Sequence, residues 1–83
     1  MKKILVEIYL PSTFQVFDVI LPKKIYVHEA IKLISNMMNK LSNGTFVANE
    51  ETILCNRDSG EILGTNKTIE ELALRNGAKL MLI

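Results

Sequence analysis

Apolar and polar residues alternate from Lys3 to Leu10, in KILVEIYL. Ile4, Val6, Ile8 and Leu10 fall on one face, and Leu5, Glu7 and Tyr9 on the other, the period-two pattern of a strand. PSTF (Pro11 to Phe14) carries turn chemistry, because Pro fixes φ and Ser and Thr bond the local backbone. Alternation resumes in QVFDVIL, with Phe17, Val19 and Leu21 opposite Val16, Asp18 and Ile20. Two strands joined by a short turn predict an antiparallel hairpin. Pro22 ends the second strand, since it has no amide to donate to a ladder.

After KKIY the period changes. Val27, Ala30, Ile31, Ile34, Met38 and Leu41 recur at spacings of three and four, one face of a helix. Leu33 and Met37 widen that stripe, so the helix is expected to be covered on more than one flank. His28, Glu29, Lys32, Ser35, Asn36, Asn39 and Lys40 fill the polar side. SNG (Ser42 to Gly44) supplies a stop. TFVANEE is polar enough for a connection, TILCNRD predicts a third strand, and DSG turns into a short EIL. Thr68-Ile69-Glu70-Glu71 fits a capping box for a second, short helix. Asn76-Gly77 ends that helix, and AKLMLI closes the chain as a strand with Leu80 and Leu82 on one face and Met81 and Ile83 on the other.

The first and last strands are the most apolar, as central strands should be. A long helix following a hairpin has to pack across the sheet. The expected architecture is therefore an α+β roll: a mixed sheet of four to five strands, one long helix across one face, and one short helix. Eighty-three residues without repeats or linkers make one domain, residues 1–83.

Composition narrows the function. Ten basic and nine acidic residues give a net charge of +1, which is no footprint for a nucleic-acid binder. A single cysteine, Cys55, forms no intramolecular disulfide and no multi-cysteine metal site; its apolar setting predicts a packed thiol. MKKILVEIYLP begins like a signal peptide, but Glu7 interrupts the apolar run and no small-residue cleavage site follows. No apolar run reaches the roughly 20 residues of a membrane helix. A cytoplasmic protein without membrane insertion is expected.

Catalytic chemistry finds little support. His28 is the only histidine, and it lies on the polar side of the first helical turn with no implied partner. Glu50-Glu51 and Glu70-Glu71 are adjacent pairs, which point to opposite faces of a strand or splay around a helix. GTNK lacks the glycines and the Gly-Lys pair of a phosphate loop. No catalytic, metal or cofactor residue is expected, and the protein is expected not to be an enzyme.

The stretch TNKTIEELALRNGAKLMLI, Thr65 to Ile83, resembles the ending of the ubiquitin family: a short capped helix, an Asn-Gly turn and an L-x-L last strand. Over its full length the chain is similar to the small bacterial YukD-like group, also called EsaB, accessory proteins of type VII secretion. The hairpin start, Lys23-Lys24 before the helix and the NGAKLMLI close carry that similarity; Ala78 departs from the Asp frequent there. The resemblance implies a ubiquitin-like β-grasp fold. Ubiquitin and its sulfur-carrier relatives act through a flexible Gly-Gly tail, whereas the sequence closes on Ile83, so a non-conjugating protein is expected.

What remains is a surface. Behind the inward residues of the strands, Leu5, Tyr9, Val16, Ile20, Met81 and Ile83 should lie together on the helix-free side. Isolated exposed apolar residues are ordinary, but a contiguous group on adjacent strands marks a partner or self-association site. The expected function is a non-catalytic protein-interaction module, an accessory or regulatory component of a type VII secretion system that docks this face on a partner protein or a second copy. The alternatives are a modifier or sulfur carrier whose Gly-Gly tail is missing, or a small regulatory subunit of an enzyme complex.

Overall fold

The computed structural model describes residues 2–41, 43–44 and 51–83. Five elements occur in the order β1 (Lys3–Leu10), β2 (Gln15–Pro22), α1 (Val27–Leu41), β3 (Leu54–Asn56) and β4 (Ala78–Leu82). The strands form one four-stranded sheet in the order β2-β1-β4-β3, which places the two most apolar strands at the centre, as expected. β1 pairs antiparallel with β2, from Lys3 opposite Pro22 to Leu10 opposite Gln15. It pairs parallel with β4, from Val6 opposite Ala78 to Tyr9 opposite Met81. β3 runs antiparallel to β4, and backbone bonds of 2.7 and 3.0 Å between Ile53 and Ile83 prolong that ladder. The sheet is thus mixed. The expected EIL strand shrinks to one bridge, Ile62 to Cys55.

The parallel register of β1 and β4 is fixed by the Asn76-Gly77 turn. The Asn76 Oδ1 accepts from the Leu5 amide at 2.9 Å, and the Gly77 amide donates to the Leu5 carbonyl at 2.8 Å. A side chain and a glycine thereby occupy both backbone groups of one β1 residue. Gly77 sits at φ +85°, a conformation in which a Cβ is strained.

One face of the sheet holds the core. Ile4, Val6, Ile8, Leu10, Val19, Leu21, Leu54, Leu80 and Leu82 are sealed against Val27, Ala30, Ile34 and Met38 of α1, with Leu63 and Ile69 completing the cluster. The expected helical stripe is narrower at its edges than its periodicity implies. Leu33 and Leu41 are exposed, while Ile31 and Met37 pack partly against the core. Ser35, expected on the polar side, is buried, and its Oγ has no hydrogen-bond partner among the described residues.

Long-range backbone bonds hold the first turn of α1. The Val27 amide donates to the Lys67 carbonyl at 2.8 Å and the His28 amide to the Thr65 carbonyl at 3.2 Å. The Glu29 carboxylate accepts from the Tyr26 amide at 3.1 Å. At the other end, Asn43 (φ 54°) and Gly44 (φ 80°) turn left-handed, and the Gly44 amide returns to the Asn39 carbonyl at 2.8 Å. Ser42 of the expected stop, and residues 45–50 of the expected connection, lie outside the described residues.

The second helix is a correction. The capping box forms: the Thr68 Oγ1 accepts from the Glu71 amide at 3.1 Å, and the Glu71 carboxylate accepts from the Thr68 amide at 3.0 Å. That amide bond, followed by the hydroxyl, holds the Glu71 carboxyl below the ordinary carboxylate range. Yet only a turn follows, not a helix. The Ile69 and Glu70 amides are taken by the Ile25 and Lys23 carbonyls, and Ala73 reverses the backbone at φ 53°. Among the described residues, no helix is long and apolar enough to cross a membrane.

Candidate functional site

The helix leaves the second face of the sheet open, and that face is built by the same alternation that builds the core. Residues opposite one another on neighbouring strands share a face, so pairing arranges the outward side chains in rows across the sheet. Ile20 stands opposite Leu5, and Val16 opposite Tyr9. Tyr9 stands opposite Met81, and Met81 opposite Cys55. Between these apolar rows runs a charged one: Asp18 opposite Glu7, and Glu7 opposite Lys79.

All six residues expected on this face point away from the helix. Ile20 (61%), Ile83 (49%), Val16 (45%) and Leu5 (41%) are exposed, whereas Tyr9 and Met81 are half-buried. They do not fuse into a single patch. Leu5 and Ile20 form one group, and Val16, Tyr9 and Met81 another, with Ile83 at the rim beyond Met81. The charged row separates the two groups because its members sit at the intermediate outward positions of β2, β1 and β4.

Arg57 is the residue that sequence reasoning missed. It follows β3 directly, and its amide donates to the Lys79 carbonyl at 3.0 Å, which aligns it with the charged row. Its side chain crosses the face: the guanidinium lies 4.5 Å from the Tyr9 ring centroid, and Nη1 lies 3.7 Å from the Glu7 Oε1. Cation–π contact at such a site contributes about 0.5–1 kcal/mol, and a surface ion pair of this length contributes about 0–1 kcal/mol. Arg57 also explains why Tyr9 is half-covered. Alternation from Cys55 to Arg57 was the available signal, but the register that brings Arg57 over β1 is not local information.

Cys55 belongs to the same outward row yet is buried. Its thiol contacts the Met81 carbonyl oxygen at 3.6 Å, and burial pushes its pKa up, so this is the packed thiol that its surroundings predict. His28 stacks on Tyr26 with ring centroids 5.4 Å apart, away from this face. Among the described residues, no group of three or more His, Cys, Asp or Glu side chains is placed to hold a metal.

Neither a protein-family model nor a curated protein matches the chain by sequence. Solved structures match its shape over nearly its whole length. The ubiquitin-like domain of the Mycobacterium tuberculosis type VII secretion protein EccD1 aligns with a TM-score of 0.80 at 15% identity, covering 100% of this chain and 99% of that one. The fold is the ubiquitin-like β-grasp. The EccD5 ubiquitin-like domain from Mycobacterium xenopi aligns with a TM-score of 0.74 at 18% identity, covering 100% of this chain and 94% of that chain. A chain of a toluene 4-monooxygenase complex aligns with a TM-score of 0.78 at 16% identity, covering 98% of this chain and 96% of that chain. In this ubiquitin-like fold the open face described above is the sheet surface opposite the long helix.

Proposed function

We propose that this ubiquitin-like protein is a non-catalytic docking module, an accessory component on the cytoplasmic side of a type VII secretion system, and that it binds a partner protein through the open face of its sheet. The observation that carries the proposal is the pair of apolar groups, Leu5–Ile20 and Val16–Tyr9–Met81, held at fixed spacing on a rigid sheet and divided by charge. Apolar anchors inside a polar frame are how protein interfaces concentrate binding energy. Full-length likeness to two ubiquitin-like domains of type VII secretion proteins supports the choice of system. The toluene 4-monooxygenase likeness favours a second reading, a small subunit bound to an enzyme complex.

The test is a pull-down from the native host with the wild-type protein and with Leu5→Glu/Met81→Glu, retained partners being identified by mass spectrometry. Secretion-system components should be recovered by the wild type and lost by the double variant, with unchanged circular dichroism. A double variant that retains every partner disproves the docking face. Recovery of an oxygenase subunit instead selects the second reading.

A further inference from the structure

We infer that the corner of the molecule where β1 begins and β2 ends adsorbs on an anionic lipid surface, without inserting into it. The chain carries Lys2-Lys3 and Lys23-Lys24 as two pairs far apart in sequence. The hairpin register joins them: Lys3 stands opposite Pro22, and the Lys23 amide donates to the Lys2 carbonyl at 3.1 Å. On the other flank of β1, the Asn76 side chain accepts from the Leu5 amide, which brings Arg75 to the same end. Lys2, Lys3, Lys24 and Arg75 are exposed, and Lys23 is half-buried. Neighbouring strands lie about 4.8 Å apart, so the five cations span little more than the Debye length of about 10 Å and act together.

Nothing within one chain answers these charges. Lys2 and Lys23 face one another across the ladder, a like-charge pairing that destabilises a sheet. Among the described residues none of the five cations has an ion pair. Glu70, whose amide donates to the Lys23 carbonyl at 2.7 Å, is the acid that the backbone brings to this corner, and it pairs with none of them. Five cations around one acid make the corner strongly positive in a chain whose net charge is only +1.

Two features select a lipid surface among anionic partners. Four of the five cations are lysines, compact hydrated point charges on flexible stems, which suit a fluid array of headgroups. Fixed phosphates and carboxylates are read better by the planar fork of arginine. Leu5 and Ile20, exposed and paired with one another beside Lys3 and Pro22, border the patch with aliphatic side chains, the mixture that the boundary between headgroups and acyl chains accepts. Each cation held near an anionic leaflet strengthens binding about fivefold, or about 1 kcal/mol. Five together give adsorption that is reversible and salt-sensitive. The Val16–Tyr9–Met81 group lies further along the strands, beyond the charged row, and stays free for a protein partner.

Co-sedimentation of the purified chain with vesicles tests this. At low salt the wild type should bind phosphatidylcholine vesicles that contain phosphatidylglycerol, should ignore vesicles of phosphatidylcholine alone, and should be released by added salt. Lys2→Gln/Lys23→Gln should weaken binding about thirtyfold, since two cations are lost. Its urea midpoint should stay at or above that of the wild type, because the opposed charges are gone. Lys40→Glu makes the same change in net charge at the far end of α1, and should bind nearly as well as the wild type. Overturning results are a wild type that ignores anionic vesicles, a Lys40→Glu variant that loses as much as the lysine double variant, or retention on DNA or polyglutamate without retention on vesicles. A lysine double variant that leaves the vesicles yet still recovers the secretion partner supports adsorption as a separate activity. Leu5→Glu/Met81→Glu probes the docking face and the lysine variant probes the corner, so each reading fails on its own measurement.

Discussion

Along β1, neighbouring residues of one backbone serve two unlike surfaces. Ile4, Val6, Ile8 and Leu10 are sealed beneath α1, while Leu5, Glu7 and Tyr9 stand on the open face. The inner surface is uniformly apolar and its energy comes from area removed from water. The outer surface mixes apolar pairs with a charged row, and its contacts within one chain, such as Arg57 with Tyr9 and Glu7, contribute little. A sheet face that served only to cover the core from behind would need no such ordered charges. The inner face accounts for the fold and the outer face for what the fold presents.

The largest expected effect breaks the inner surface. Ile8 is fully buried at the centre of the sheet, between β2 and β4, so Ile8→Ala leaves a cavity and should destabilise by about 3 kcal/mol. Leu5→Ala, three residues away on the outer face, should cost under about 1 kcal/mol, since little area returns to water. Urea unfolding of the two variants measures the contrast directly. Equal losses would show that the outer face is part of the core, and would remove the basis for a free docking surface.

A smaller effect comes from the hairpin tip, where neither face dominates. Phe14 lies at φ 54° and is 85% exposed, an outlier for a bulky residue. No core contact holds it there; the turn is closed by the Thr13 amide on the Leu10 carbonyl at 3.2 Å. Phe14→Gly should therefore raise stability by about 0.5–1 kcal/mol, the relief of left-handed strain exceeding glycine's entropic cost. Thermal unfolding decides; a lower melting temperature would mean that the phenyl ring packs on the folded protein.

These contrasts follow what the sequence made legible. Period-two alternation is strong over β1, β2 and β4 because each has one side in the core, so their faces and the central positions of β1 and β4 followed from pattern. Wherever long-range bonds decide, the pattern fell short. The capping box at Thr68 and Glu71 is local and forms as expected, but the Ile69 and Glu70 amides bond to the Ile25 and Lys23 carbonyls, and the helix never develops. The first amides of α1 are taken by the carbonyls of Lys67 and Thr65, distant in sequence. Ser35 is polar by type, and helical periodicity places it on the polar side, yet it is buried. On the open face, the six apolar positions were legible from alternation. Their division into two groups, and the reach of Arg57 across β4, depend on strand register, which only pairing fixes.

The smallest expected effect turns on Asp18, on the open face. Its carboxylate opposes Glu7 across the β1–β2 ladder, so Asp18→Asn should stabilise the fold by a few tenths of a kcal/mol by removing like-charge repulsion. The gain should shrink at high salt, where exposed charges are screened. Denaturant unfolding at low and high salt measures it. A variant less stable than the wild type would mean that the carboxylate is held by a contact within its own chain, and a gain confined to low salt would identify Asp18 as a residue kept for the surface at a cost to the fold.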